Sequence, residues 1–396
     1  MAHLRHIVSI LALVAVALAP NLRADELKQR QATIKGMVVR EMGNGKLTGL
    51  AVGIVATAGQ AKKNGKVTIE GKIGDDMKSA LAEAEKYVRV NHADLGNSQI
   101  TISFEERYHP KDGGSAGTAF SVLLRSLVEG FEIDPKVAVT GDIAVNGKVM
   151  PIGGVTAKLR GVMTDGCTVA IIPTDNAPAV GDLLVRGSEM MEILRGLQVF
   201  SAAKVDDAVA VIRTDRDDKL KKAIELYAEL QKDMKGGVGS LKSPAAQTKL
   251  ATILDLAPNH LSAKYALDIA KGNGPRTLTR NASLIEIFAA AYPFWEKMAD
   301  KGKPKITRDD LPVSTMKSMK ADLNSIKRYT HPDVEGLRKS MLVWIDTIDT
   351  ILGSAGKQVT EHDVQVVQQR REALVKELKR LNSDEALVAK MMREGY

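Results

Sequence analysis

A serine preceded by two glycines is the part of the sequence best suited to chemistry. Ser115 follows Gly113 and Gly114 and opens a stretch in which apolar residues recur at helical spacing. Backbone N–H groups at a helix N-terminus can stabilise a developing oxyanion, and small neighbours let a substrate backbone approach the serine hydroxyl. Taken alone, this segment favours an ordinary helix N-cap with Ser115 as the capping residue, so the chemistry needs further support.

Other segments give that support, because they follow one another in the order found in the proteolytic domain of Lon proteases. The stretch from Pro110 to Gly117 resembles that family's PKDGPSAG motif, which carries the nucleophilic serine, with Gly114 in place of the proline. The resemblance extends over residues 36–213. The other matching blocks are Thr48–Ala51, Gly71–Gly74, Thr140–Asp142, Val149–Leu159 and Ile171–Asn176.

The resemblance implies a Ser-Lys dyad, in which Ser115 is the nucleophile and Lys158 the general base. A serine hydroxyl attacks an amide only when a neighbouring group takes its proton, and a lysine can take it only when neutral, which requires a depressed pKa. Lys158 lies among apolar residues early in a predicted helix, where burial and the positive helix end both disfavour the charged amine. Thr140 is expected to hydrogen-bond this amine, and Asp112 to order the loop before the serine.

The sequence departs from the family pattern at two places near the site. Gly114 in place of proline is expected to loosen the loop, and the strand Thr101–Phe104 lacks the histidines that ATP-dependent members often carry. Every Gly-Lys pair is followed by a residue other than Ser or Thr, so no phosphate-binding Walker loop occurs in the chain. We therefore expect no ATPase module ahead of the domain and a peptidase that works without ATP.

The elements that would position these residues follow from the hydrophobic pattern. Strand-like and helix-like stretches alternate as far as residue 213, which predicts an α+β (mixed α/β) proteolytic domain over residues 25–215. Strands are predicted over Val137–Val145 and Lys148–Met150, which flank a hairpin turn at Asn146-Gly147. Beyond Lys219 the strand signal is lost, which predicts a linker and first helix over residues 216–240 and an all-helical domain over residues 241–396.

The helical half weakly resembles tetratricopeptide repeats. The resemblance rests on Ala257–His260 followed by Ala263 and Ala266, which is similar to the junction between two such repeats. No regular period of repeat length runs through the region, so an irregular helical bundle is the alternative.

The first residues are typical of a secretory signal peptide. Arg5 precedes an apolar run from Ile7 to Ala19, which has the length of a signal-peptide core and is short for a membrane span. Cleavage after Ala24 would leave residues 1–24 as the signal peptide, and an uncleaved anchor is the alternative. We expect an exported, periplasmic or extracellular protein without stable membrane insertion.

Composition excludes several other classes of function. The single cysteine, Cys167, rules out an intrachain disulfide framework and CxxC motifs, and no HExxH zinc motif is present, so no metal or other cofactor is expected. The formal net charge of +8 lies mostly after residue 215, where lysines are interspersed with acids. Aromatic residues make up 4% of the chain, which is few for the stacking used in nucleic-acid binding, so no nucleic-acid partner is expected.

These features predict an exported, ATP-independent serine endopeptidase that cleaves unfolded proteins or peptides. Its expected partners are polypeptide substrates and further copies of the same chain, because the Lon resemblance implies a ring-shaped homo-oligomer. The alternative is a catalytically silent Lon-like scaffold whose helical domain mediates protein interaction, and the presence of Ser115, Lys158 and Thr140 together argues against it. A protein that binds peptidoglycan or nucleic acid through its basic helices is a weaker alternative.

Overall fold

The computed structural model describes residues 27, 30–42, 46–59, 65–92, 95, 98–106, 111–185, 187–234, 237–294, 307–353 and 360–381. The predicted signal peptide and Pro110 of the serine motif lie outside these described residues. Among the helices of the described ranges, none is long and apolar enough to cross a membrane.

The first half of the chain alternates strands and helices. Its strands are β1 Gln31–Met42, β2 Lys46–Gly59, β3 Val67–Ile69, β4 Gln99–Phe104, β5 Val137–Val139, β6 Asp142–Ile143, β7 Val149–Met150, β8 Val169–Pro173 and β9 Gln198–Ala202. Its helices are α1 Asp75–Asn91, α2 Gly117–Glu129, α3 Val155–Thr164, α4 Pro178–Val185, α5 Gly187–Gly196 and α6 Val205–Ile212. Short 3-10 turns lie at Gly114–Ala116 and Thr174–Asn176.

Seven of these strands form one mixed sheet in the order β3-β4-β2-β1-β5-β8-β9. β1 and β2 form a long antiparallel hairpin, and β2 also pairs antiparallel with β4. β1, β5, β8 and β9 run parallel to one another. Parallel neighbours need a crossover connection, which α3 supplies between β5 and β8 and α4–α5 supply between β8 and β9. This sheet with its helices confirms the predicted α+β class of the proteolytic domain.

The strand predicted over Val137–Val145 is wrong, because the chain leaves the main sheet after Val139. β6 pairs with β7 in a separate two-stranded hairpin around Asn146-Gly147. At the break, Gly141 has a φ of 153°, and a side chain there would collide with the hydroxyl of Thr118. The interruption places Thr140 just beyond the carboxyl end of β5, where its backbone N–H still donates to the Ile171 carbonyl of β8 at 3.1 Å.

The second half of the described chain is helical. It contains α7 Asp218–Asp233, α8 Pro244–Leu256, α9 Leu261–Ala270, α10 Arg280–Ala290, α11 Val313–Ser325, α12 Glu335–Gly353 and α13 Glu361–Leu381. Three 3-10 turns, Val238–Lys242, Ile326–Tyr329 and Pro332–Val334, connect some of these helices. No strand occurs among the described residues after Ala202, in keeping with the helical region expected from the sequence.

The apolar core does not change at residues 216–240, where the domain boundary was predicted. One continuous cluster of buried residues runs from Ala32 to Ala270 and includes α7–α9. A second cluster begins at Leu284 and ends at Leu381. The predicted boundary between folding units stays a prediction, but the change of core falls later because α7–α9 share the apolar core of the first half and α9 contacts β9.

The open edge of β9 is covered by the segment that joins α8 to α9. Backbone N–H of Ser201 donates to the Asn259 carbonyl at 2.9 Å, and the Asn259 side chain donates back to the Ser201 carbonyl at 2.9 Å. Backbone N–H of Val199 donates to Ser262 Oγ at 2.8 Å. The segment predicted as a repeat junction therefore blocks an exposed strand edge, while the tetratricopeptide resemblance itself stays a prediction.

His260 lies at the centre of this contact and is fully buried. Its ring packs against Phe200 and Tyr227, with ring centroids 4.3 and 4.6 Å away. Backbone N–H of Ala263 donates to His260 Nδ1 at 3.2 Å, which leaves Nε2 to donate to the Gln198 side-chain oxygen at 3.1 Å. Burial lowers the pKa of His260 to about 3, so the ring is neutral in the folded protein.

We predict that His260 makes the fold sensitive to acid. In the unfolded chain the imidazole takes up a proton below pH 6.5, whereas in the folded chain it does so only near pH 3. As the pH is lowered from 6.5 towards 3, the free energy of unfolding of the parent should therefore decrease. The decrease should exceed that of His260→Leu, which cannot titrate at this position, by up to about 1.4 kcal/mol per pH unit. Urea unfolding at several pH values measures this difference, and parallel pH profiles for the two proteins would contradict it.

Candidate active site

The loop before Ser115 is held by Asp112. Its carboxylate accepts hydrogen bonds from backbone N–H of Gly113 at 2.8 Å and of Met77 at 3.3 Å, which joins the loop to the first turn of α1. Gly113 has a φ of 99°, a conformation that favours glycine. A 3-10 turn over Gly114–Ala116 then leads into α2, with Ser115 half-buried in it. Asp112 thus connects the loop to α1, while its supporting role at the site stays a prediction.

Gly114, which replaces the family's proline, lies against the side chain of Asp142. A Cβ atom at position 114 would come within 2.8 Å of Asp142 Oδ2. The Asp142 carboxylate also accepts a hydrogen bond from backbone N–H of Ile143 at 2.7 Å, and burial raises its pKa. Glycine at 114 therefore makes room for a half-buried carboxylate, a reason for the departure that the linear motif does not reveal.

The backbone of Ser115 is tied to the end of β5. Backbone N–H of Gly141 donates to the Ser115 carbonyl at 3.0 Å, and Thr140 Oγ1 donates to the same oxygen at 3.2 Å. Backbone N–H of Thr118 donates in turn to the Gly141 carbonyl at 2.9 Å. These three hydrogen bonds fix the first turn of α2 against the point where the chain leaves the main sheet.

Lys158 reaches the same point from α3. Its side chain is buried, with 3% of the residue exposed, and Nζ donates to Thr140 Oγ1 at 3.3 Å. The predicted hydrogen bond between Lys158 and Thr140 is therefore present. Thr140, itself 1% exposed, connects the buried amine to the backbone of Ser115. Burial of this kind disfavours a charged ammonium, as a general base requires.

Helix α3 is positioned by direct backbone contact with β2. A Cβ atom at Gly161 would overlap the Gly49 carbonyl, and one at Gly49 would overlap the Ala157 carbonyl. At the end of the helix, the Asp165 carboxylate accepts a hydrogen bond from backbone N–H of Ala51 at 2.6 Å. With no side chain between strand and helix, the two glycines set the depth at which α3 presents Lys158.

Asn176 holds the segment that leads into α3. Its side-chain oxygen accepts from backbone N–H of Ile152 at 2.9 Å, and its side-chain nitrogen donates to the Ile152 carbonyl at 2.9 Å. Asn176 belongs to a block that resembles the family, but no role was predicted for it from the sequence. No role was predicted for Gly49 or Gly161 either. A glycine inside a helical pattern, as at position 161, is a signal of close packing that could have identified the contact.

The site consists of hydroxyl, amine and carboxylate side chains together with backbone amides. In the ranges that the structure covers, no three or more His, Cys, Asp or Glu side chains are grouped so that they could hold a metal ion. Cys167 is buried away from this site, and burial raises the pKa of its thiol, which makes it a poor nucleophile.

Comparison with known proteins identifies the class to which this arrangement belongs. A family model described as the Lon protease (S16) C-terminal proteolytic domain matches residues 14–212, which is half of the chain. The chain therefore belongs to this family, whose class is that of serine-type peptidases. The match begins inside the apolar run that was predicted as the core of a signal peptide.

Individual relatives are similar over the same region. An archaeal Lon protease of Thermoplasma volcanium is 29% identical over 194 residues, which cover 47% of this chain and 28% of that protein. The Lon protease of Azospirillum brasilense is 31% identical over 191 residues, or 46% and 22%. The Lon protease of Salinispora arenicola is 35% identical over 153 residues, or 37% and 19%. The chain thus spans less than a third of the length of these curated relatives.

We predict that Gly161→Ala destabilises the protein. The added methyl group would collide with the backbone of Gly49, which cannot move aside without displacing β2. Forcing α3 away from the strand should lower the free energy of unfolding by about 1–3 kcal/mol, measured by urea unfolding.

Gly239→Ala is the matched control, because no atom lies within 4 Å of the Cβ position there. Its free energy of unfolding should stay within about 0.5 kcal/mol of the parent. Equal stability of the two variants would show that the contact between β2 and α3 is not tight.

Proposed function

We propose that this chain is an exported serine endopeptidase that cleaves unfolded polypeptides without ATP, with Ser115 as nucleophile and Lys158 as general base. The observation that carries the proposal is the connection from the buried Lys158 amine through Thr140 to the backbone carbonyl of Ser115, in the 3-10 turn that leads into α2. Membership of the peptidase family supports the reaction class. The assignment of roles to individual residues is ours.

In the proposed reaction, Ser115 Oγ attacks the carbonyl carbon of the scissile peptide bond while its proton passes to the neutral Lys158 Nζ. The carbonyl oxygen becomes an oxyanion, which backbone N–H groups at the start of α2 would stabilise. As the intermediate collapses, the C–N bond breaks and Lys158 returns the proton to the leaving amine. Water, deprotonated by Lys158, then attacks the acyl-enzyme and releases the second product with Ser115 restored.

Thr140 has a positioning role in this proposal. Its hydroxyl accepts one N–H of the Lys158 amine and donates its own hydrogen to the Ser115 carbonyl, so both hydrogen-bonding directions are used. This hydrogen bond restricts rotation of the amine about its Cε–Nζ bond and so limits the directions in which its lone pair can point. The threonine would thereby favour an orientation suited to accepting the serine proton.

Independence from ATP is supported by the absence of a Walker loop from the 396 residues of the sequence. Without ATP-driven unfolding, a folded protein must open locally before its backbone can enter a peptidase site. We therefore propose that the substrates are unfolded segments and peptides. Self-association through the proteolytic domain stays a prediction, which sedimentation equilibrium at increasing concentration would test.

Export is supported by the sequence of residues 1–24, in which Arg5 precedes the apolar run and Ala24 occupies the proposed cleavage position. An exported peptidase would work where ATP is scarce, which is consistent with the missing Walker loop.

We predict that Ser115→Ala and Lys158→Ala each lower the rate of casein cleavage, measured without ATP, by about 10²–10⁴-fold or more. Alanine removes either the group that forms the acyl-enzyme or the group that takes its proton. Because the two act as a unit, the double variant should lose little more than either single one. Lys158→Arg should not restore cleavage, since a guanidinium stays protonated, and Thr140→Val should have a smaller effect.

Two controls accompany this assay. A stable folded protein should resist cleavage under the same conditions, and added ATP should change neither rate. If Lys158→Ala cleaves at the parent rate while Ser115→Ala is inactive, the general base is another residue. If both variants cleave as fast as the parent, the dyad does not carry the activity, and the scaffold alternative replaces the peptidase.

We predict that the exported chain begins at Asp25. Expression of the full sequence in a Gram-negative bacterium, followed by fractionation and N-terminal sequencing, measures both location and cleavage site. Recovery from the periplasm with Asp25 first would support the proposal. Recovery from the cytoplasm with Met1 would contradict export, and recovery from the membrane with Met1 would indicate an uncleaved anchor.

A further inference from the structure

A cavity of about 810 Å³ lies between the proteolytic core and the second apolar core. One wall is the start of α3, from Ile152 to Ala157, with the turn at Asp175 and Asn176. The opposite wall consists of α10 and the turn Ile326–Tyr329. Its volume falls within the range of specific ligand sites, which is about 300–1,000 Å³. We call it the α3–α10 cleft.

Hydrogen bonds at the base of the cleft join its two walls. The buried carboxylate of Asp182 on α4 accepts from backbone N–H of Thr279 at 2.6 Å and from Thr279 Oγ1 at 2.8 Å. Thr279 is the N-cap of α10, so these bonds fix the start of that helix. Backbone N–H of Leu278 donates to the Tyr329 carbonyl at 2.7 Å, which holds the neighbouring turn. The cleft is therefore a formed feature of the fold.

The cleft is separate from the proposed catalytic site of Ser115 and Lys158. Thr156 and Arg160, one helical turn apart, line it from the face of α3 opposite Lys158, whose amine bonds to Thr140 in the interior. Neither Ser115 nor Thr140 lines the cleft. A molecule bound in it would nevertheless touch the helix that carries the proposed general base.

The chemistry of the lining is apolar with an excess of carboxylates. Leu47, Ile285 and Ala289 contribute apolar surface, while Thr156, Asn281 and Ser325 offer polar side chains. Four carboxylates line the cleft, against the guanidinium groups of Arg160 and Arg280; they are Asp175, Asp182, Glu286 and Asp322. Asp182 is engaged by Thr279, and Arg280 donates to the Leu381 carbonyl. Asp175 and Asp322 are exposed, so they can contact a molecule bound in the cleft.

We propose that the α3–α10 cleft is an exosite for an extended polypeptide segment in which apolar residues alternate with lysine or arginine. Apolar side chains of such a segment would replace water against the apolar lining, and its cationic groups would face Asp175 and Asp322. The polar side chains of the lining would form hydrogen bonds with part of the backbone of the bound segment. The choice of a polypeptide rests on the proposed peptidase function.

An exosite of this kind would serve an enzyme that cannot unfold its substrate. When one segment of a substrate is held in the cleft, the effective concentration of the rest of that substrate at Ser115 rises. A stretch of the substrate that opens transiently can then be captured repeatedly. Selection would then depend on the sequence bound by the exosite as well as on residues beside the scissile bond.

The test measures binding to the full chain carrying Ser115→Ala, so that no peptide is cut. Two labelled peptides of equal length are compared by fluorescence anisotropy, one of Leu, Ala and Lys and the other with Glu in place of each Lys. The Lys peptide should bind more tightly. Replacing both Asp175→Asn and Asp322→Asn should weaken its binding about two- to tenfold, the range expected for two partly exposed charge pairs.

Ala289→Trp is a second, steric variant, because the indole would fill the cleft from an exposed position on α10. It should weaken the Lys peptide at least as much, whereas Ala251→Trp, exposed on α8 and outside the lining, should leave binding unchanged. Circular dichroism checks that each variant is folded. Equal binding of the two peptides, or binding that survives both the Asn pair and Ala289→Trp, would overturn the exosite. Since no turnover is measured, this result is independent of the casein assay.

Discussion

The buried amine of Lys158 is the constraint on which the rest of the site depends. An amine without a partner in an apolar interior costs several kcal/mol, so the fold must supply a hydrogen-bonding group where the side chain ends. Thr140 is such a group, and its backbone N–H still donates to the Ile171 carbonyl of β8, which holds the residue at the end of β5. The break after β5, the conformation of Gly141 and the attachment of Ser115 lie at this same point.

Backbone contacts, more than large side chains, give this site its precision. The aromatic content is 4%, so the core offers few rigid rings against which an element could be located. Helix α3 instead meets β2 through Gly49 and Gly161, where peptide groups touch directly. A contact between backbones has no side-chain rotamers that could change. The position of the sheet therefore determines the position of Lys158 closely.

Local pattern predicted much of the fold and the members of the site. The alternation of strand-like and helix-like stretches up to residue 213 and the loss of the strand signal beyond Lys219 predicted the two halves of the chain, because these signals lie within single elements. What the pattern does not show depends on distant partners. The break at Gly141 has neighbours from α2 and β7, and the apolar core continues to Ala270, where α9 contacts β9. The room that Gly114 leaves for Asp142 is equally invisible in a linear motif.

The late change of core also explains how a helical region can act on a peptidase site. Because α7–α9 belong to the proteolytic core, the next helix starts from a fixed point on it, with Thr279 bound to the buried Asp182. Burial raises the pKa of this carboxyl, and the two hydrogen bonds from Thr279 offset part of that effect by favouring the charged form. The attachment through Asp182 places α10 beside α3, so a molecule bound between them contacts the helix of Lys158.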